Sequence, residues 1–325
     1  MSKQIKFGSC LPPFTSCADR FVRSGYSRTE RDIFGMIKEA GKVDDLSGIE
    51  LVGTWHITDK NIFAVKKVVE DMRLRVSMIT PDLWATARWG KGSITSYEEK
   101  IRRQALGEIR KAMDWAVEMN CDTIDVWLGQ DGYDYLFQTN YIQVWERLVK
   151  GIQECAEYRP EIKICIEYKI KEPRRYIFIS TVGKTLQLIK EVNRENVGVL
   201  LDIGHALAAG ENPAESVALL SREDKLLYLH FNDNYGSWDD DMTVGSVHFL
   251  HLLEVIYWLN KVEYNGWHTL DIFPYREDGL RAVEESIEWI KKAYHIIERI
   301  DKKKMEEITS NRDWLSASAL LRGVL

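Results

Sequence analysis

Cysteine is scarce and unorganised in this chain. The five residues, at 10, 17, 121, 155 and 165, are odd in number and include no CxxC pair. That usage does not make a disulfide framework, and reduced thiols in a cytosolic protein are expected. No segment approaches 18 consecutive apolar residues, which excludes an ordinary transmembrane helix. The opening Met-Ser-Lys-Gln-Ile-Lys-Phe has no long apolar run, so no signal peptide is expected there. A basic block is also missing, and the formal net charge is -6. Phosphate binding needs clustered Lys and Arg, so no nucleic-acid partner is expected. No GxGxxG follows the first apolar run, which argues against a doubly wound dinucleotide-binding sheet.

What is present is a regular alternation along 325 residues. Short β-branched runs read as strands at 5–8, 48–52, 74–79, 123–128, 163–167, 198–202, 226–230 and 268–272. Helical periodicity fills the gaps. Ser27-Arg-Thr-Glu30 and Ser96-Tyr-Glu-Glu99 have capping-box spacing, and Pro213 sits at the start of a short helix, where a missing N–H costs nothing. Alternating strand–helix units imply a parallel sheet, and eight of them predict a closed (β/α)8 TIM barrel over residues 1–300. Residues 301–325 form a C-terminal helical tail, charged at Lys302-Lys-Lys-Met-Glu-Glu and apolar from Trp314 onward. Such a tail packs on the barrel or on a neighbouring subunit, and a homodimer or homotetramer is expected.

In this architecture the strand C-termini form the active face. Glu167, Asp202, His230 and Asp271 fall at the ends of four consecutive predicted strands. Taken singly, Asp202 reads as a helix N-cap, His230 as a core residue and Asp239 to Asp241 as a solvated loop. Together Glu167, Asp202, His230 and Asp271 bring three carboxylates and an imidazole to one mouth. Such a set repels itself unless a cation sits within it, and oxygen-rich donors favour Mg2+, Mn2+ or Co2+ over structural zinc. His205, three residues beyond Asp202, with Asp239 and Asp241, suggests a second divalent cation bridged by Asp202. His56 and Asp59 follow the second strand.

These residues resemble the xylose isomerase superfamily over about 5–300. Ile166-Glu-Tyr-Lys-Ile-Lys-Glu-Pro-Arg174 with Thr181-Val-Gly183 is similar to its Glu-x-Lys…Glu-Pro-Arg…Thr-Val-Gly run. Trp127-Leu-Gly-Gln-Asp-Gly132 resembles its Trp-Gly-Gly-Arg-Glu-Gly turn, and His56-Ile-Thr-Asp59 its sugar-ring His-x-x-Asp pair. Asp239-Asp-Asp-Met-Thr-Val-Gly245 is similar to its metal loop. Asp202-Ile-Gly-His205 and His230-Phe-Asn-Asp233 depart from xylose isomerases proper and resemble the two-metal L-rhamnose isomerase branch.

The resemblance implies an aldose–ketose isomerase that uses two divalent cations on a small sugar. Glu167, Asp202, His230 and Asp271 would hold the first ion, and Asp202, His205, Asp239 and Asp241 the second, with Asp241 beside the proton transfer. Lys169 would donate to the carbonyl oxygen while a hydride shifts between C1 and C2. His56, oriented by Asp59, would open the ring, and Trp127 would wall the substrate, which also contacts His56, Lys169 and His205. The alternative within the fold is a ketose 3-epimerase with Glu167 and Asp271 as paired bases. An abasic-site endonuclease needs more histidines than the seven present and a basic face. A non-catalytic sugar-binding protein leaves the full ligand set without a purpose.

Overall fold

The computed structural model describes residues 5–27 and 29–325. The N-terminal stretch read for a signal peptide lies partly outside them, as does Arg28 of the first capping box. Eight parallel strands close into a barrel: β1 (Lys6–Ser9), β2 (Leu46–Val52), β3 (Arg75–Thr80), β4 (Thr123–Trp127), β5 (Lys163–Glu167), β6 (Val197–Asp202), β7 (Leu226–Phe231) and β8 (Trp267–Leu270). Neighbours in sequence are neighbours in space, and β1 closes on β8. The outer helices are α1 (Ile33–Ala40), α2 (Ile62–Asp71), α3 (Glu99–Glu118), α4 (Tyr141–Ala156), α5 (Val182–Val192), α6 (Pro213–Arg222), α7 (Phe249–Lys261) and α8 (Gly279–Glu298). A two-stranded antiparallel ribbon, Gly132–Tyr133 with Tyr176–Ile177, ties the loops after β4 and β5 together.

The helix starts follow side-chain chemistry. Asp32, Asn140, Thr181, Asn212 and Asp278 each accept a hydrogen bond from a backbone N–H of the first turn, satisfying donors that have no partner within the helix. Thus α1 begins at Ile33 under Asp32 rather than at Ser27, and α3 begins at Glu99 without a side-chain cap.

Apolar faces of strands and helices form one continuous core that includes Ile49, Leu51, Ile124, Ile164, Ile166, Val199 and Leu229. A second buried cluster, Met78, Cys165, Leu200 and Tyr228, fills the bore. All five cysteines are buried and unpaired. The tail forms two further helices, α9 (Lys302–Ser310) and α10 (Trp314–Arg322). Met305 joins the core and Leu320 and Leu321 pack against it, whereas Trp314 and Leu315 face outward. Among the described residues, no helix is long and apolar enough to cross a membrane.

Candidate metal centre at the barrel mouth

β5, β6 and β7 carry Glu167, Asp202 and His230 at or next to their C-terminal ends, and Asp271 follows β8 directly. Register puts Asp202 level with His230 and His230 level with Thr269. The side chains therefore converge. One ligand atom from each of Glu167, Asp202, His230 and Asp271 lies within 4.8 Å of the others. His230 Nδ1 is the hub, 3.4 Å from Glu167 Oε1 and 3.6 Å from both Asp202 Oδ2 and Asp271 Oδ2. Glu167 Oε1, His230 Nδ1 and His205 Nδ1 are buried without a hydrogen-bond partner. Buried polar atoms are rarely left so, and an ion or water is the usual explanation. Three carboxylates with one imidazole match the donor preference of a hard divalent cation.

Asp202 fills two roles. Its Oδ1 accepts from the His205 N–H at 2.7 Å and so caps the short helix Ile203–Ala208. Its Oδ2 accepts from Asn232 Nδ2 at 2.9 Å. Gly204 makes this turn feasible, because a Cβ there would meet Asn232 Oδ1 at 2.2 Å.

The electrostatics favour positive charge at the mouth. Burial pushes Asp271 up to about 7; His230 opposes the rise, and Asp202 and Glu167 add to it. Burial alone would lower the His230 imidazole, but Glu50, Asp202 and Glu167 outweigh it and hold it well above its ordinary value. Burial likewise works against charge on His205, and Asp202, Asp239 and Glu167 push it up to about 9. Protons are drawn to the imidazoles because the carboxylates need a counter-charge.

The residues expected to hold a second cation are arranged differently. His205 Nε2 lies 3.1 Å from Asp239 Oδ2, while its Nδ1 faces Glu167 Oε1 at 3.4 Å. Asp239 Oδ2 also accepts from Lys169 Nζ at 2.6 Å. Burial would raise the Asp239 carboxyl, yet His205 and Lys169 hold it well below the usual range. Asp241 is raised well above that range by burial and by Asp239 and Asp271. Its backbone sits in the left-handed region (φ 47°), which Asp tolerates better than most residues, and its carbonyl accepts from Phe273 N. Among the described residues only the first set forms a cluster of ligand atoms.

Lys169 has a salt-bridge partner, but it is chiefly Asp239, with Glu172 at 3.3 Å. Burial would lower its pKa, and Asp239, Asp241 and Glu172 outweigh that, so the ammonium is held well above its ordinary value. It stands 5.5 Å from the Trp127 ring centroid. Trp127 meets Trp84 edge-on at 4.9 Å, and Trp84 meets Trp55 at 5.7 Å, giving an aromatic wall from the loops after β2 and β3 and the end of β4.

The pairing expected of His56 and Asp59 is not formed. Asp59 accepts from Lys111 Nζ at 2.6 Å and Trp115 Nε1 at 2.9 Å, both on α3. His56 Nδ1 instead accepts from Val52 N at 2.9 Å, and burial lowers the ring to about 4, which keeps it neutral. Two buried carboxylates went unnoticed in the sequence. Glu50 on β2 contacts His230 Nε2 at 3.1 Å. Asp125 on β4 is raised well above the carboxylate range by burial and by Glu167, and its Oδ1 has no partner. The signal for both was a single acid inside an otherwise apolar central strand.

The fold and donor set together define a (β/α)8 barrel with a carboxylate–imidazole centre at the C-terminal mouth. A family model described as xylose isomerase-like TIM barrel matches residues 37–293, and the chain belongs to that family. Xylose isomerase of Thermus thermophilus is 26% identical over 231 residues, 69% of this chain and 60% of the relative. Xylose isomerase of Thermus caldophilus is 25% identical over the same span. The chain thus matches about 60% of the length of these relatives. Among solved structures, a D-tagatose 3-epimerase-like protein superposes with TM-score 0.67 at 22% identity, covering 89% of this chain and 99% of that one. L-ribulose 3-epimerase gives TM-score 0.70 at 12% identity, covering 91% and 96%. At these identities the structural likeness speaks for the fold.

Proposed function

We propose that the chain is a divalent-metal-dependent aldose–ketose isomerase that moves a hydride between C1 and C2 of a small sugar. The observation that carries this reading is the convergence of Glu167, Asp202, His230 and Asp271 within 4.8 Å, with orphaned donor atoms inside. The curated relatives named xylose isomerase support it. A cation held by these four supplies Lewis-acid polarisation of neighbouring sugar oxygens. Asp202, His205, Asp239 and Asp241 would take a second cation, more weakly, because Asp239 is already engaged by Lys169.

The chain's own groups do the rest. Lys169, charged and anchored by Asp239, donates to the sugar oxygen on which negative charge builds. Trp127, Trp84 and Trp55 exclude water from the carbons between which the hydride moves. His56, neutral at pH 7 and with Nδ1 taken by the Val52 N–H, carries its hydrogen on Nε2 and donates it in a hydrogen bond to the sugar ring oxygen as the ring opens, without help from Asp59. The unpaired buried thiols support a reducing, cytoplasmic setting. The outward Trp314 and Leu315 support a homodimer or homotetramer.

A ketose 3-epimerase is the second reading. It is favoured by two carboxylates, Glu167 and Asp271, in one cluster, with Asp271 raised to about 7, a working range for acid–base exchange. Two experiments separate the readings. Mn2+-loaded protein is given L-rhamnose, D-xylose, D-lyxose and branched pentoses, and ketose formation is followed; the isomerase reading predicts turnover of at least one. Asp239→Asn is then expected to lower that turnover by about a hundredfold, the scale of one lost electrostatic contact in the transition state. If isomerisation survives in Asp239→Asn while Glu167→Gln is inactive, the epimerase-type centre is the better account.

A further inference from the structure

Glu50 sits in the middle of β2, between Ile49 and Leu51, which are both fully buried. Its register partner on β3 is Met78, a member of the bore cluster, so Glu50 points into the bore. A carboxylate taken out of water there costs several kcal/mol unless it is paired. Packing gives no reason for it, since the same layer is filled by Met78, Cys165, Leu200 and Tyr228. Its hydrogen-bond partner is His230 Nε2, at 3.1 Å. β2 and β7 are not adjacent; β1 and β8 lie between them. The contact therefore crosses the bore and joins residues 180 apart in sequence.

The consequence lies at the other ring nitrogen. A carboxylate at Nε2 keeps a hydrogen on Nε2, so when a cation takes the place of the proton on the ring's other nitrogen, the Nδ1 lone pair is the one that meets it. Nδ1 is the atom that faces Glu167, Asp202 and Asp271 and has no partner of its own. A flipped ring, or the other tautomer, would present a hydrogen to the three carboxylates. We infer that Glu50 is a positioning residue for the metal centre, setting the tautomer and orientation of His230 so that Nδ1 serves as the imidazole ligand. The inference rests on the metal reading of the mouth but concerns a residue outside the ligand set. Carboxylates behind a metal-bound histidine act in this way generally, and their loss weakens metal binding by about 10- to 100-fold.

The test is Mn2+ titration of the full-length chain, by calorimetry and by electron spin-echo detection of a directly bound imidazole nitrogen. Neither readout depends on sugar turnover. Glu50→Leu is expected to bind Mn2+ about 10- to 100-fold more weakly than wild type and to lose or alter the imidazole signature. Glu50→Gln, whose amide oxygen can still accept from Nε2–H, is expected to recover most of the affinity. That variant keeps the test decisive should Glu50→Leu fold poorly. Wild-type affinity and an unchanged imidazole signature in folded Glu50→Leu overturn the inference while leaving the metal reading intact. So does a Glu50→Gln chain that binds no better than Glu50→Leu. A wild-type chain that takes up no Mn2+ overturns both.

Discussion

Glu167→Gln is expected to lower turnover by about a thousandfold or more and to strip the chain of its tightly held cation. Among the described residues, Glu167 Oε1 is the one carboxylate oxygen that lies 3.4 Å from both His230 Nδ1 and His205 Nδ1. An amide keeps the shape but removes the charge, and a neutral oxygen is a poor substitute in a site of this kind. Lewis-acid stabilisation of transition-state charge amounts to several kcal/mol. A loss of about 4 kcal/mol corresponds to about three orders of magnitude in rate. Steady-state rates across a Mn2+ series check this. Near-wild-type rates at low Mn2+ would remove Glu167 from the centre.

Lys169→Met is expected to behave in the opposite sense. Turnover should fall by about a hundredfold to a thousandfold, as it does when a transition-state donor is removed, while Mn2+ affinity at the first centre stays within about twofold. Lys169 touches none of the four clustered ligands; it is bonded to Asp239 and Glu172. The structure does give it a structural partner, and breaking a buried pair costs about 3–5 kcal/mol of stability. Chemical denaturation therefore has to accompany the kinetics. Retained turnover with reduced metal affinity would reduce Lys169 to a counter-ion for Asp239.

The barrel was legible because each unit repeats the same periodicity switch, and the convergence of Glu167, Asp202, His230 and Asp271 because they fall at strand ends, where an apolar strand has no use for them. What could not be read is side-chain partnership over long sequence distances. His56 and Asp59 are three apart and suggest a pair, yet Lys111 and Trp115 on α3 take the Asp59 carboxylate. The spacing from Asp202 assigns His205 to a second ion and the substrate, whereas its Nδ1 borders Glu167 of the first cluster. Glu50 lies in mid-strand, and only closure of the barrel brings it to His230. The C-terminal tail followed its pattern in part: Met305 is absorbed into the core, while Trp314 and Leu315 remain at the surface.

If Glu167, Asp202, His230 and Asp271 hold a cation, Mn2+ retained per chain reports it. The protein is stripped with chelator, reloaded, dialysed and analysed for metal. One tightly retained Mn2+ per wild-type chain is expected, lost in Glu167→Gln and kept in Lys169→Met, with a second ion taken up only at higher Mn2+. A folded wild-type chain that retains none contradicts it.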